Sequence, residues 1–364
     1  MSRVVVKIGT SSLTNEAGVI DEIVIRRVSN EIARLRQDNH VVTVVTSGAI
    51  AAGMPVLGIA AEQRPTDSVA LQALSSIGQP ALVRTWAAAL AEWGLTIGQI
   101  LLAPHNFGER SQYLHARATL AKLHELGVVP LINENDAVTD DEIRYGDNDR
   151  IAALVANLVD ADTLVLLTDT DGVMTADPNV DPEAQLISTI PDIDAVTASI
   201  GGPGSTRGSG GMASKLEAAR IASWSGIRTV IANARRANVV FDAVIEMAEI
   251  GTIVQPRATT LSARKLWIGF ALEPAATVVV DDGAAAALSE GGRSLLAVGV
   301  TSVVGTFEYG DPVKIARTDG TEIGRGLSRM GSAEVTAAAA QRVDEDRRQH
   351  RSVVVHVDDL VLLG

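Results

Sequence analysis

Two lysines and two clusters of asparagine and aspartate carry most of the chemistry this chain could do. Lys7 ends the apolar run VVVKIG and opens into Gly9-Thr10-Ser11-Ser12, while Lys215 closes the glycine-rich segment GGPGSTRGSGGMASK over 201–215. Asn133, Glu134, Asn135 and Asp136 follow the apolar run GVVPLI. Asp147, Asn148 and Asp149 stand directly before a helical pattern that sets Ile151, Leu154, Val155, Leu158 and Val159 on one face. A lysine at the end of a buried strand is costly unless it meets an anion. Asn and Asp massed at a strand end and a helix start suit a small polar ligand. The chain has no cysteine and no H-E-x-x-H, and none of its six histidines falls in these clusters. Transfer of a phosphoryl group to a carboxylate asks for such an inventory. The acceptor is already an anion, so no general base is required. The difficulty is to bring two anions together, which takes positioned lysines and Mg²⁺.

Two further stretches could line such a site. Thr46-Ser47-Gly48 follows a strand and opens a helix, whose N-terminus favours a carboxylate or phosphate. Thr168-Asp169-Thr170-Asp171-Gly172 follows another strand and contains the hairpin signal Asp171-Gly172. Each feature taken alone has a plainer alternative. Ser47 and Asp147 to Asp149 could cap helices, the 133–136 run and Asp171-Gly172 could be turns, Lys7 could reach water from an edge strand, and 201–215 could be a linker. The lysine-bearing loop also lacks the G-x-x-x-x-G-K spacing.

Strand-like runs alternating with helical patterns must position these residues. Strands are expected over 4–8, 41–45, 96–102, 127–132, 163–167 and 229–231. Helices are expected over 21–37 (Ile23, Val24, Val28, Ile32 and Leu35 at helical spacing), from near 47, over 71–92 as one or two helices, over 112–126, from just after Asp149 to about Val159, and over about 213–224. The alternation predicts an α/β fold, an open, mostly parallel sheet sandwiched by helices, with ligands at the carboxyl ends of its strands. From Ala276 short apolar runs alternate with glycine-containing turns at Asp282-Gly283, Gly291-Gly292, Gly310-Asp311 and Asp319-Gly320, which predicts a small all-β barrel. The expected organisation is a catalytic domain over 1–258, a linker over 259–273, a barrel over 274–350 and a final strand or tail over 351–364.

With 364 residues there is chain enough for two or three cores. The apolar share of 46% and charged share of 21% are those of a soluble globular protein, and no apolar run is long enough to span a bilayer. The N-terminus runs into VVVKIG without the pattern of a signal peptide, and a cytoplasmic location is expected. A net charge of −13 opposes a general nucleic-acid role.

The motifs VVVKIGTSSL, VVTSGAIAAG, INENDAV, GDND, LLTDTDGVMTADP and GSGGMASKLEAA, in that order, resemble the glutamate 5-kinases of the amino acid kinase family. The segment VDDGAAAALSEGGRSLLAVGVTSVVGTFEYGDPVKI resembles a PUA domain. The resemblance covers essentially the whole chain. It implies ATP-dependent conversion of L-glutamate to L-glutamyl 5-phosphate, the first step of proline synthesis. Lys7 and Lys215 would stabilise the transferring group, with Asp149 holding both. Ser47, Asn133, Asp136, Asp147 and Asn148 would surround glutamate. Lys7, Thr168, Asp169, Ser209, Gly210, Gly211, Met212, Ala213, Ser214 and Lys215 would contact ATP, with Mg²⁺ riding on its phosphates. One departure is Thr170-Asp171, where some relatives carry Gln-Lys. The resemblance further implies a homo-oligomer (dimer or tetramer), L-proline as a feedback inhibitor and glutamyl phosphate reductase as the next enzyme. A nucleoside-monophosphate kinase of the same fold is the rival within this class. RNA binding through the PUA-like segment is the rival outside it. Residues 272–350 argue against the latter, with 8 Lys plus Arg against 12 Asp plus Glu, a balance of −4.

Overall fold

The apolar run behind Lys7 forms β1 (Arg3–Ile8), buried from its second residue onward. β1 is the hinge of the architecture. The computed structural model describes residues 1–138, 147–176, 181, 183–200, 210–246, 250–340 and 352–363. Two units result, Met1–Thr260 and Leu261–Gly364.

In the first unit β1 is followed by α1 (Thr10–Leu13), α2 (Glu22–Gln37), β2 (Val41–Thr46), α3 (Ala49–Val56) and α4 (Ser68–Ala91). Next come β3 (Ile97–Leu102), α5 (Pro104–Gly108), α6 (Arg110–Glu125), β4 (Val129–Glu134), α7 (Asp147–Leu158) and β5 (Thr163–Thr168). The unit closes with β6 (Thr189–Ile190), α8 (Ile193–Ile200), α9 (Gly210–Trp224), β7 (Arg228–Asn233), α10 (Val239–Phe241) and β8 (Thr252–Val254). The eight strands lie in the order β3-β4-β2-β1-β5-β7-β8-β6. All pairings are parallel except β7 with β8. The strands therefore divide at β1, with β2, β4 and β3 on one side and β5, β7, β8 and β6 on the other. In such sheets a crevice opens at the carboxyl ends of the strands where the order reverses. Lys7 sits there, in register with Val45 of β2 and Leu166 of β5.

α2 shows how local signals and burial agree. The Asp21 side chain caps it by accepting from the Ile23 N–H, and Arg34 and Arg36 occupy its last turn. The buried stripe is Val24, Ile25, Val28, Ile32 and Leu35. Ile23, expected on that face, is 76% exposed, because Ile25 continues the three- and four-residue spacing and Ile23 does not. α7 buries the expected Ile151, Leu154, Val155, Leu158 and Val159, together with Ala152, Ala153 and Ala156. It packs against both α9 and the central strands, so residues 151–156 are buried in succession rather than on one face.

α3 starts later than expected. Its N-cap is Gly48 at φ +98°, a left-handed conformation that suits glycine, and Ser47 remains in the strand–helix junction. α3 then crosses α4 with almost no separation. A Cβ on Gly78 would lie 1.8 Å from the Ala49 carbonyl oxygen, and one on Gly53 would lie 2.1 Å from that of Leu74. Backbone meets backbone there, which leaves no room for a side chain.

The second unit opens with α11 (Ala263–Leu266) and a helical turn at Trp267–Ala271. It continues as β9 (Ala276–Val280), α12 (Asp282–Ser289), β10 (Leu295–Leu296), β11 (Val300–Val304), β12 (Pro312–Arg317), β13 (Glu322–Ser328), α13 (Ser332–Ala340) and β14 (Val353–Leu362). Its strands form one curled sheet in the order β10-β14-β13-β12-β9-β11, around a core including Val278, Val313, Ile315, Val335 and Val354. The Asp282-Gly283 turn signal is overridden. Asp281 caps α12 by accepting from the Ala284 N–H at 2.7 Å, and the alanine run behind it favours helix. The alanines at 337–340 likewise finish α13. Asp359, 4% exposed, is held by Arg264 at 2.5 Å and Arg329 at 2.8 Å, tying the helical opening of this unit to β14.

Candidate active site

Lys7, Asp149 and Lys215 come from β1, the first turn of α7 and the second turn of α9, and they meet. They are 5%, 2% and 7% exposed. Lys7 Nζ lies 2.5 Å from Asp149 Oδ1. Lys215 Nζ donates to Asp149 Oδ2 at 3.2 Å and to the Gly211 carbonyl at 3.0 Å, and Ser214 Oγ donates to the same Oδ2 at 2.7 Å. Burial pushes the Asp149 carboxyl up, but the charges of Lys7 and Lys215 and the hydrogen bonds from Lys7 and Ser214 outweigh it and hold the group below the ordinary carboxylate value. Burial lowers Lys7 from the usual lysine value, with Asp149 opposing and Lys215 reinforcing the shift. With both lysines protonated the trio carries one net positive charge in nearly dry surroundings. An incoming phosphate would meet a fixed cationic pair whose geometry one carboxylate sets.

The second cluster lies at the carboxyl end of β4. Asn133 is 3% exposed; its Oδ1 accepts from the Glu134 N–H at 2.9 Å, and its Nδ2 has no hydrogen-bond partner among the described residues. A buried amide donor left open is costly, and a ligand acceptor would relieve it. Asn148 Oδ1 accepts from the same Glu134 N–H at 3.2 Å, which binds the start of α7 to the end of β4. Asp136 Oδ2 accepts from Ser75 Oγ of α4 at 2.6 Å. Burial raises the Asp136 carboxyl above its ordinary value, with the Ser75 hydroxyl opposing. Ser47 donates its N–H to the Ile8 carbonyl at 3.2 Å, which holds the β2–α3 junction beside the end of β1. Asp147 begins α7, and its side chain lies outside the described residues.

On the other side of β1, Thr168 ends β5, buried, and donates its hydroxyl to the exposed Asp169 at 3.1 Å. Gly210, Gly211, Met212, Ala213 and Ser214 make the start of α9, which begins at Gly210 rather than near Ala213. Ser209 lies outside the described residues. Asp171-Gly172 is a bend rather than the tip of a two-residue hairpin. The ladder forms beyond it, where Ile187 and Thr175 donate their N–H groups to Val173 and Gln185, and Met174 pairs with Leu186. The Asp171 carboxylate accepts from Asn233 Nδ2 of β7 at 2.9 Å, so this segment is pinned to the neighbouring strand.

Sequence reasoning missed the contribution of α4. Ser75 and Gln79 are both buried, and Gln79 Nε2 donates to the Glu134 carbonyl at 3.4 Å. The available signal was weak, a pair of polar residues at i, i+4 in a helix that carries several others.

The amino acid kinase family profile matches residues 2–233, and the PUA domain profile matches residues 276–349. Over the full length, the chain is 44% identical to the glutamate 5-kinase of Pseudomonas savastanoi pv. phaseolicola, covering 99% of each. It is 42% identical to the glutamate 5-kinase of Mycolicibacterium smegmatis, covering 98% of this chain and 96% of the relative. It is 39% identical to that of Pelobacter propionicus, covering 100% and 98%. The chain belongs to the amino acid kinase family, in its glutamate 5-kinase branch. In this kinase the lysine–aspartate–lysine trio stands at the β1/β5 reversal, with the β4 cluster on one side and the β5 and α9 ends on the other.

Proposed function

We propose that this protein transfers the γ-phosphoryl group of ATP to the side-chain carboxylate of L-glutamate, giving L-glutamyl 5-phosphate and ADP, the first step of proline biosynthesis. The observation that carries the reading is the meeting of Lys7 and Lys215 on the buried Asp149. A glutamate carboxylate oxygen attacks the γ-phosphorus, the bond to the bridging oxygen of ADP breaks, and no proton moves. Lys7 and Lys215 stabilise negative charge on the transferring group, while Asp149 keeps the two ammonium groups apart and aimed. Ser47, Asn133, Asp136, Asp147 and Asn148 hold the amino-acid end. The open Nδ2 of Asn133 suits a carboxylate, and Asp136 suits an ammonium group. Thr168, Asp169 and residues 209–215 hold ATP, whose phosphates approach the start of α9.

No group of three or more His, Cys, Asp or Glu side chains among the described residues could hold a metal by itself. Mg²⁺ fits this reading as an ion carried on the ATP phosphates, whose charge it neutralises when bound. A cytoplasmic setting, a homo-oligomer, inhibition by proline and hand-over to glutamyl phosphate reductase belong to the same reading.

The test is ADP release over glutamate, aspartate, N-acetylglutamate and UMP with hydroxylamine present. Glutamate alone should yield a hydroxamate, and only with ATP and Mg²⁺. Equal turnover of UMP, or no hydroxamate from glutamate, would overturn the assignment.

A further inference from the structure

We propose that Ser75 is a positioning residue for recognition of the acceptor's α-ammonium group, acting by holding the Asp136 carboxylate in place. The inference rests on the glutamate reading above and adds a residue from an element outside the predicted site.

A serine inside a helix ordinarily turns its hydroxyl back to the carbonyl four residues earlier. Ser76 does so, donating to the Gln72 carbonyl at 3.0 Å. Ser75, its neighbour, instead sends its hydroxyl across to Asp136 Oδ2 at 2.6 Å. Ser75 is 1% exposed, so no water competes for that donor. The bond takes one carboxylate oxygen, and Oδ1 has no hydrogen-bond partner among the described residues. Burial disfavours the charged form of Asp136, and the Ser75 hydroxyl is the group that counters it. A carboxylate fixed in place with one oxygen open recognises an ammonium group and has nothing to offer a ligand without one.

The placement of Ser75 is rigid for a reason visible one turn along α4. Gly78 and Gly53 bring the backbones of α3 and α4 into direct contact, so α4 cannot slide or rotate against α3. Ser75 is on the same helix face as Gly78 and Gln79, three and four residues on. Gln79 grips the Glu134 carbonyl. The helix that fixes the entry to α3, beside Ser47, thus also fixes Asp136.

The experiment compares glutamate with glutarate, the same dicarboxylate without the amino group, as a competitive inhibitor. Ser75→Ala should raise KM for glutamate about tenfold, the scale of one lost charge-assisted hydrogen bond, with kcat within about twofold. The Ki for glutarate should stay within about twofold of wild type. Ser75→Cys, nearly isosteric and a weaker donor, should fall between. In an Asp136→Asn background, Ser75→Ala should add no further loss of preference for glutamate, which keeps the test valid if the single variant is less stable. Equal changes for glutamate and glutarate, or none for either, would overturn the role of Ser75. A wild-type protein that forms no hydroxamate from glutamate would instead overturn the reaction itself.

Discussion

At the residue scale, Asp149 is shared by two cations, and this makes the three positions unequal. On the proposed reading, Lys7→Ala or Lys215→Ala removes one of the two ammonium groups that would face the transferring phosphoryl and leaves the other paired with Asp149. Each should lower kcat by about 10²-fold or more, the cost of one transition-state electrostatic partner. Asp149→Ala should lower kcat similarly and also cost stability, about 3–5 kcal/mol, because it strands two buried ammonium groups. Ser47→Ala and Asn148→Ala should mainly raise KM for glutamate, since in the proposed reading they would face parts of the acceptor that do not react. Steady-state kinetics with thermal unfolding of each variant separates these effects. An unchanged kcat in Lys215→Ala would reduce the glycine-rich segment to a linker.

At the element scale, the site depends on how strand ends and helix starts are tied together, and one tie makes stability depend on pH. His124 on α6 lies 2.9 Å from the Thr43 hydroxyl of β2 through its Nε2. Burial, reinforced by the charges of Arg36 and Arg3, lowers its pKa from 6.5 to about 4. Between those values the unfolded chain binds a proton that the folded chain refuses. Stability from this group is therefore complete above about pH 6.5 and is lost progressively toward pH 4. Urea midpoints measured at pH 7 and pH 5 should fall at the lower pH, and His124→Gln should shrink that difference. An identical drop in the variant would assign the pH sensitivity to other groups.

At the scale of the whole molecule, the two units divide between Thr260 and Leu261, and every proposed catalytic and binding residue lies in the first. The second has its own core and its own ion-pair cluster around the buried Asp359. A chain ending at Thr260 should fold and keep phosphoryl transfer, while regulation or assembly changes. Loss of activity despite a native circular dichroism spectrum would show that the second unit helps to form the site. The acidic balance over 272–350 predicts no tight RNA binding by that unit at about 150 mM salt. Sub-micromolar affinity for tRNA, strongly weakened by added salt, would reverse that expectation.

Much of this was legible before any coordinates. Apolar runs and helical spacing located β1, α2, β2, α4, α6 and β5 within a few residues, because strand and helix periods are properties of neighbours along the chain. Lys7 could be picked out because charge at the end of an apolar run has few inexpensive explanations, Asp149 because three Asx residues exceed what a helix cap needs, and Lys215 because it ends a glycine-rich segment at a helix start. That Asp149 lies between the two lysines is another matter. It follows from β1, α7 and α9 converging where the strand order reverses, and no spacing within 7–215 encodes that distance. Ser75 escaped notice for the same reason, since its hydroxyl reaches Asp136 across 61 positions of the chain, by packing that no local pattern encodes. In the second unit a local turn signal at Asp282-Gly283 gave way to a capped alanine helix, a contest between neighbouring preferences. The sequence by itself determined the inventory, the alternation and the family. Tertiary structure decided which of those residues share a site, because proximity across a sheet is settled by strand order and packing, not by position along the chain.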